Sequence, residues 1–134
     1  MLAIAGIESR CLHRRQIPVA HAMGLWQFER GGGVAGVLQH RVTRPLVIGA
    51  LERRGLPAPD KPGAAEATWR ALETDDTLAA ILARLLLLSD PAPLPDDPNA
   101  ALGVYLRTWR PGKPQSATQW LNEWRVSAGA LAQP

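Results

Sequence analysis

The chain has 134 residues, 46% hydrophobic and 20% charged, which is one domain's worth of polypeptide with enough apolar material for a core; a disordered tail or collagen-like repeat is excluded. Its longest apolar stretches, Leu78 to Ala83 and Leu85 to Leu88, are split by Arg84 and fall short of the roughly 20 residues that cross a bilayer. The net charge of +3 is uneven: residues 1–54 hold eight Arg against three Glu, residues 55–106 three bases against eight acids, and residues 107–134 four bases against Glu123, so the N-terminal third is expected to face an anionic partner.

Strand signals are nearly absent, and Ala, Leu and Arg dominate, which predicts an all-α domain. Leu2, Ile4, Ile7, Cys11 and Leu12 fall on overlapping turns and predict a short amphipathic helix over 2–12. Residues 14–28, with Pro18 and Gly24, have no sustained period and read as a long irregular connection, a feature that in compact domains is usually functional or disordered. After Gly31 to Gly33, the residues Val34, Val37, Leu38 and Val42 recur at helical spacing. A further short helix runs from Thr43 as N-cap to a stop at Gly55. Ala64 to Glu73 follows a Pro-rich link. Thr74 is expected to cap the strongest helix, with Asp75 and Asp76 at its positive end and Leu78 to Leu88 apolar nearly all round, the buried centre. Pro98 and Asn99 open a helix with Leu102, Tyr105, Leu106 and Trp109 on one stripe, and Ser116 with Gln119 forms a capping box for the last helix, which presents Trp120, Leu121 and Trp124 to the core.

Glu8 is the residue with chemical content. On a helix, its neighbours one turn away are Ile4, Cys11 and Leu12, so a carboxylate projects from the apolar side, where desolvation raises its pKa toward that of a general acid. The bland alternative is that Glu8 marks the solvent edge of the stripe. Ala3-Ile4-Ala5-Gly6-Ile7-Glu8-Ser9, followed sixteen positions after Glu8 by Gly24-Leu25-Trp26-Gln27, resembles the paired signature of the lysozyme-like superfamily, specifically lytic transglycosylases of the SLT type and goose-type lysozymes. Trp26 stands where the family usually has Met. Ala101-Leu102-Gly103-Val104-Tyr105-Leu106 is a weaker likeness to the family's Ala-Tyr-Asn segment, with Leu106 where Asn is expected. The likeness covers residues 1–38 well and 101–106 loosely.

The resemblance implies a compact lysozyme-like helical domain over residues 1–134, with room for a missing N-terminal helix, and a cleft that takes a peptidoglycan glycan strand. It implies that Glu8 is the acid that protonates the glycosidic oxygen, and that Ser9, Gly24, Leu25, Trp26, Gln27, Tyr105 and Trp109 border the sugars. Glu29, two residues past Gln27, stands where goose-type lysozymes resemble this chain in carrying an acid that helps position a water; its structural alternative is an ion pair with Arg30. A single carboxylate is enough for the transglycosylase route, in which the same Glu takes the proton of the sugar's 6-hydroxyl as a 1,6-anhydro ring closes. A cleft for such a strand also calls for aromatic platforms, here Trp26, Phe28, Tyr105 and Trp109, and for cations to meet lactyl or stem-peptide carboxylates, here Arg10, Arg14, Arg15 and Arg110. Ser9 either orients the Glu8 carboxylate or ends its helix.

No cofactor is expected. Lone Cys11 and the spacing of His13, His21 and His40 offer no metal site, and Gly31, Gly33 and Gly36 follow no strand, which argues against a dinucleotide site. Arg14-Arg15 and Arg53-Arg54 sit in no recognition-helix motif, so no nucleic acid is expected. Glu8 arrives too early for a secretory apolar segment of about 7–15 residues, which reads as synthesis in the cytoplasm without an export signal and delivery to the wall as for phage lysis or virion proteins. The competing class is a non-catalytic wall-binding or phage structural domain that keeps the cleft and has lost activity.

Overall fold

A computed structural model describes residues 1–133 and shows a mostly helical chain. The element order is α1 (Leu2–Ser9), β1 (Ala22–Met23), β2 (Phe28–Glu29), a wide five-residue π-type turn (Arg30–Val34), α2 (Ala35–Gln39), α3 (Thr43–Glu52), α4 (Ala64–Ala71), α5 (Asp76–Leu88), α6 (Pro98–Trp109) and α7 (Ala117–Leu131). α5 is the central helix, as its composition predicts: Leu78, Ala79, Leu82, Ala83 and Leu85 to Leu87 are buried, and α2, α3 and α6 pack against it. No helix among the described residues is long and apolar enough to cross a membrane.

Three expected boundaries move, each for a local reason. α1 stops at Ser9 rather than residue 12, because Arg10 and Cys11 both turn left-handed (φ 55° and 54°) and carry Leu12 out to solvent. The cap of α5 is Asp75, not Thr74: its carboxylate accepts the Leu78 amide at 2.8 Å while Arg54 Nε donates to it at 2.5 Å. Thr43 does not cap α3; its hydroxyl is buried and donates to the Val37 carbonyl at 2.6 Å, tying α3 back to α2. The capping box of Ser116 and Gln119 forms as expected, and Asp97 caps α6 ahead of Pro98.

The largest departure from the all-α expectation lies in residues 14–28. Ala22 pairs with Glu29 and Met23 with Phe28 in a small antiparallel hairpin, closed by a tight turn in which the Gln27 amide donates to Gly24 O at 2.9 Å. Gly24 has φ +76°, and a Cβ there would stand 3.1 Å from the Leu72 carbonyl, so glycine is required at that corner. The hairpin holds no core of its own. Four indole N–H groups fasten segments to distant backbone: Trp26 to Met1 O, Trp69 to Phe28 O, Trp109 to Trp26 O and Trp120 to Pro98 O, at 2.7–3.1 Å. Three of those four bonds begin or end on the hairpin.

The uneven charge is largely consumed inside the molecule. Arg14 pairs with Asp76, Arg15 with Glu73, Arg30 with Glu66 and Arg54 with Asp75, so four of the eight N-terminal arginines meet the acids of the middle segment. The expected anionic partner of the N-terminal third is, to that extent, the chain's own α4, α5 and the segment between them.

Replacing Asp75 with Ala removes both the cap and the Arg54 pair, and is expected to cost about 1–2 kcal/mol in urea unfolding at neutral pH. Arg54 holds the Asp75 carboxyl below the ordinary aspartate range, with the Leu78 amide adding to the effect. That stabilisation is present above the unfolded aspartate pKa and is lost as pH falls through the lower folded value, so the gap to Asp75→Ala should narrow in acid.

Candidate active site

The C-terminal end of α1, the hairpin, the wide turn and the end of α6 surround a groove. Glu8 lies in a cavity of about 310 Å³ whose walls include Gln16, Gln27, Phe28, Glu29, Trp109 and Lys113. Glu29 borders this cavity and two further depressions of about 490 and 810 Å³, so the three adjoin at that residue as one trough.

Glu8 is half-buried, one residue before the end of α1, and its Oε1 accepts the Tyr105 hydroxyl at 2.6 Å. Burial raises the Glu8 pKa above the ordinary glutamate value; the Tyr105 bond opposes this, and the negative charge of Glu29 adds to the rise. Tyr105 is almost fully buried, and desolvation together with its bond to Glu8 raises its own pKa, so it donates and does not ionise. Because Tyr105 occupies Oε1 as an acceptor, the acid proton of Glu8 belongs on Oε2. The Coulombic coupling puts Glu8 and Glu29 within electrostatic reach of one another along the same cavity.

Ser9 is buried and does not touch the carboxylate: its Oγ donates to the Leu25 carbonyl at 2.7 Å, with Ala5 O at 3.1 Å. This bond locks the end of α1 to the hairpin turn and thereby sets where Glu8 points. Gly24 and Leu25 belong to that turn. Gln27, with φ 49°, lines the cavity while its Nε2 donates to His13 O and Gly24 O. Trp26, expected as a platform, is instead buried with its indole bonded to Met1 O, and gives the groove no face. Trp109 does reach the groove, half-buried between Phe28 (ring centroids 5.8 Å) and Tyr105 (6.3 Å). Tyr105, also expected as a platform, is buried and gives the groove no ring face; it stacks on Trp120 at 5.3 Å, so the rings continue from Trp109 into the core.

Glu29 is exposed and forms no ion pair among the described residues, since the expected partner Arg30 is taken by Glu66 at 2.6 Å. Arg14 and Arg15 are paired with α5 and with the segment before it, and Arg10 borders a separate depression between α1 and α7; of the four arginines expected near the substrate, Arg110 alone lines the groove. Sequence reasoning missed Gln16, Thr108, Lys113 and the floor made by Gly32 and Gly33. The glycine triplet was a usable signal: a Cβ on Gly33 would collide with the Phe28 ring at 2.5 Å, so only glycine allows the wide turn to lie against the hairpin. Gln16 and Thr108 carried none.

Among the described residues no group of three His, Cys, Asp or Glu side chains is placed to hold a metal. Comparison with protein-family models, with curated proteins and with solved structures returns no match.

The geometry fixes the signs of two titration changes. Tyr105→Phe removes the bond that favours the Glu8 carboxylate and should move its titration, followed by carboxyl-carbon NMR, to higher pH. Glu29→Gln removes a neighbouring negative charge and should move it lower. Movement of both in one direction contradicts the described site.

Proposed function

We propose that the protein is a peptidoglycan-degrading glycosidase that cleaves the β-1,4 bond between N-acetylmuramic acid and N-acetylglucosamine, with Glu8 as general acid and then base. The observation that carries this reading is a half-buried carboxyl with a raised pKa, held by one buried tyrosine hydroxyl, in a cavity that adjoins two further depressions. A raised pKa keeps a carboxylic acid protonated closer to neutrality, which is what donation to a leaving oxygen requires. The resemblance of residues 3–9 and 24–27 to transglycosylase and goose-type lysozyme signatures supports the same assignment, and here the two segments are joined by the Ser9 to Leu25 bond.

Glu8 Oε2 gives its proton to the glycosidic oxygen as the bond to the sugar's anomeric carbon breaks. The resulting carboxylate then takes the proton of that sugar's 6-hydroxyl, whose oxygen closes on the anomeric carbon to form the 1,6-anhydro product; alternatively Glu29 positions a water that is added instead. Tyr105 holds Glu8 in one orientation through both steps. Trp109 offers apolar surface to a sugar face, backed by the buried Phe28 ring.

Glu8→Gln is expected to reduce clearing of purified peptidoglycan by roughly 10²–10⁴-fold, the range of general acid–base catalysis. The same change should leave stability at neutral pH equal or higher. A carboxyl whose folded pKa is raised adds stability only in the acid range and loses it as pH rises through the folded value, so at pH 7 the charge is a burden that Gln lacks. Wild-type activity should fall on the alkaline side as Glu8 loses its proton. Equal clearing by both proteins, or none by wild type, rejects the reading, and the latter outcome leaves a non-catalytic wall-binding domain. Mass spectrometry of the products distinguishes anhydro ends from reducing ends.

A further inference from the structure

Resting on the glycosidase reading, we infer that Arg110 and Lys113, on the segment joining α6 to α7, form a cationic subsite that selects glycan bearing carboxylates over neutral glycan of the same backbone. The trough is otherwise hostile to an anionic ligand, because its centre carries Glu8 and Glu29. Two other arginines that border it are already committed, Arg30 to Glu66 and Arg107 to Asp90 at 2.9 Å. Arg110 and Lys113 line the cavity that holds Glu8 and form no ion pair among the described residues.

Their setting is built rather than incidental. Arg110 leaves α6 in a left-handed conformation (φ 48°, ψ 53°), with its Nε donating to Arg107 O at 3.3 Å and its two terminal nitrogens left over for a bidentate carboxylate. Pro111 and Pro114 restrict the backbone that carries Lys113, and the Ser116 capping box closes the segment. At the other end of the trough His21, Arg30, Glu66 and Trp69 offer no uncommitted Lys or Arg, so the attraction is one-sided and orients a strand whose carboxylates recur on every second sugar. Two sources share this chemistry, the lactyl group of the sugar and the peptide stem attached to it.

The test uses the Glu8→Gln protein as a non-cleaving background and titrates three probes: a stem-bearing glycan tetrasaccharide, the same glycan after an amidase removes its stems, and chitotetraose. Arg110→Ala combined with Lys113→Ala is expected to weaken the charged probes about three- to tenfold, more at low than at high salt, and to leave chitotetraose unchanged. A loss confined to the stem-bearing probe assigns the carboxylate to the peptide, and an equal loss on the stripped glycan assigns it to the lactyl group. Arg110 also sits at the α6 C-terminus, where its charge favours the helix; Lys113→Ala alone and Arg110→Lys keep the test valid if Arg110→Ala loosens the fold. Uniform weakening of all three probes, or of none, overturns the subsite. Clearing of intact wall by the wild-type protein separates the two failures: without it the glycosidase reading falls and the subsite with it, whereas clearing together with indifferent probes removes the subsite alone.

Discussion

Everything around the groove depends on hydrogen bonds that fasten a hairpin with no core of its own. Residues 22–29 form only two residue pairs in their ladder, which is below what an isolated hairpin needs to persist in water. They persist here because residues 14–16 add a backbone bridge, Arg15 to Met23, and because Met23, Trp26 and Phe28 are buried in the main core. In addition, Ser9 grips the Leu25 carbonyl from α1, Trp109 grips the Trp26 carbonyl from α6, and Trp69 grips the Phe28 carbonyl from α4. Each of these side-chain bonds satisfies a backbone acceptor that the short ladder leaves over, and each reaches to a different helix. The hairpin is thus a keystone whose position is set by three helices, and Glu8 and Glu29 take their relative placement from it.

The same economy of polar groups explains the chemistry of Glu8. A carboxylate at this depth receives one hydrogen bond, and burial outweighs that single donor in setting its pKa. Two or three donors would have held it ionised and made it a structural anion. One donor, with a second carboxylate nearby, leaves it close to a proton-transfer role while Tyr105 prevents the side chain from wandering. The buried stack from Tyr105 to Trp120 makes that hydroxyl a fixed point.

The charge distribution has a structural use as well. An N-terminal third rich in Arg and a middle rich in acids invite the idea of a large basic face, yet the folded chain lays the loop from Arg14 to Arg30 against α4 and α5, pair by pair. Exposed pairs of this kind contribute little stability singly. Their effect is to spend N-terminal cations inside the chain, while Arg110 and Lys113 line the Glu8 cavity without an ion pair among the described residues.

Linear order alone determined most of the helical skeleton. The apolar run of α5, the capping box at Ser116, the Pro98 start and the Pro-Gly break after Trp109 are local signals, because propensity, capping and chain stiffness act within a turn or two of the residue that carries them. The partial burial of Glu8 was also legible, from its place on an apolar stripe. What only tertiary structure decided were the matters of long-range pairing: that residues 22–29 form a hairpin, that Trp26 is a buried staple while Trp109 faces the groove, that Ser9 binds backbone and not Glu8, and that Arg14 and Arg15 are spent on Asp76 and Glu73. A hydroxyl, an indole or a guanidinium accepts many partners, and which one it finds depends on groups tens of residues away, brought near only when the core closes.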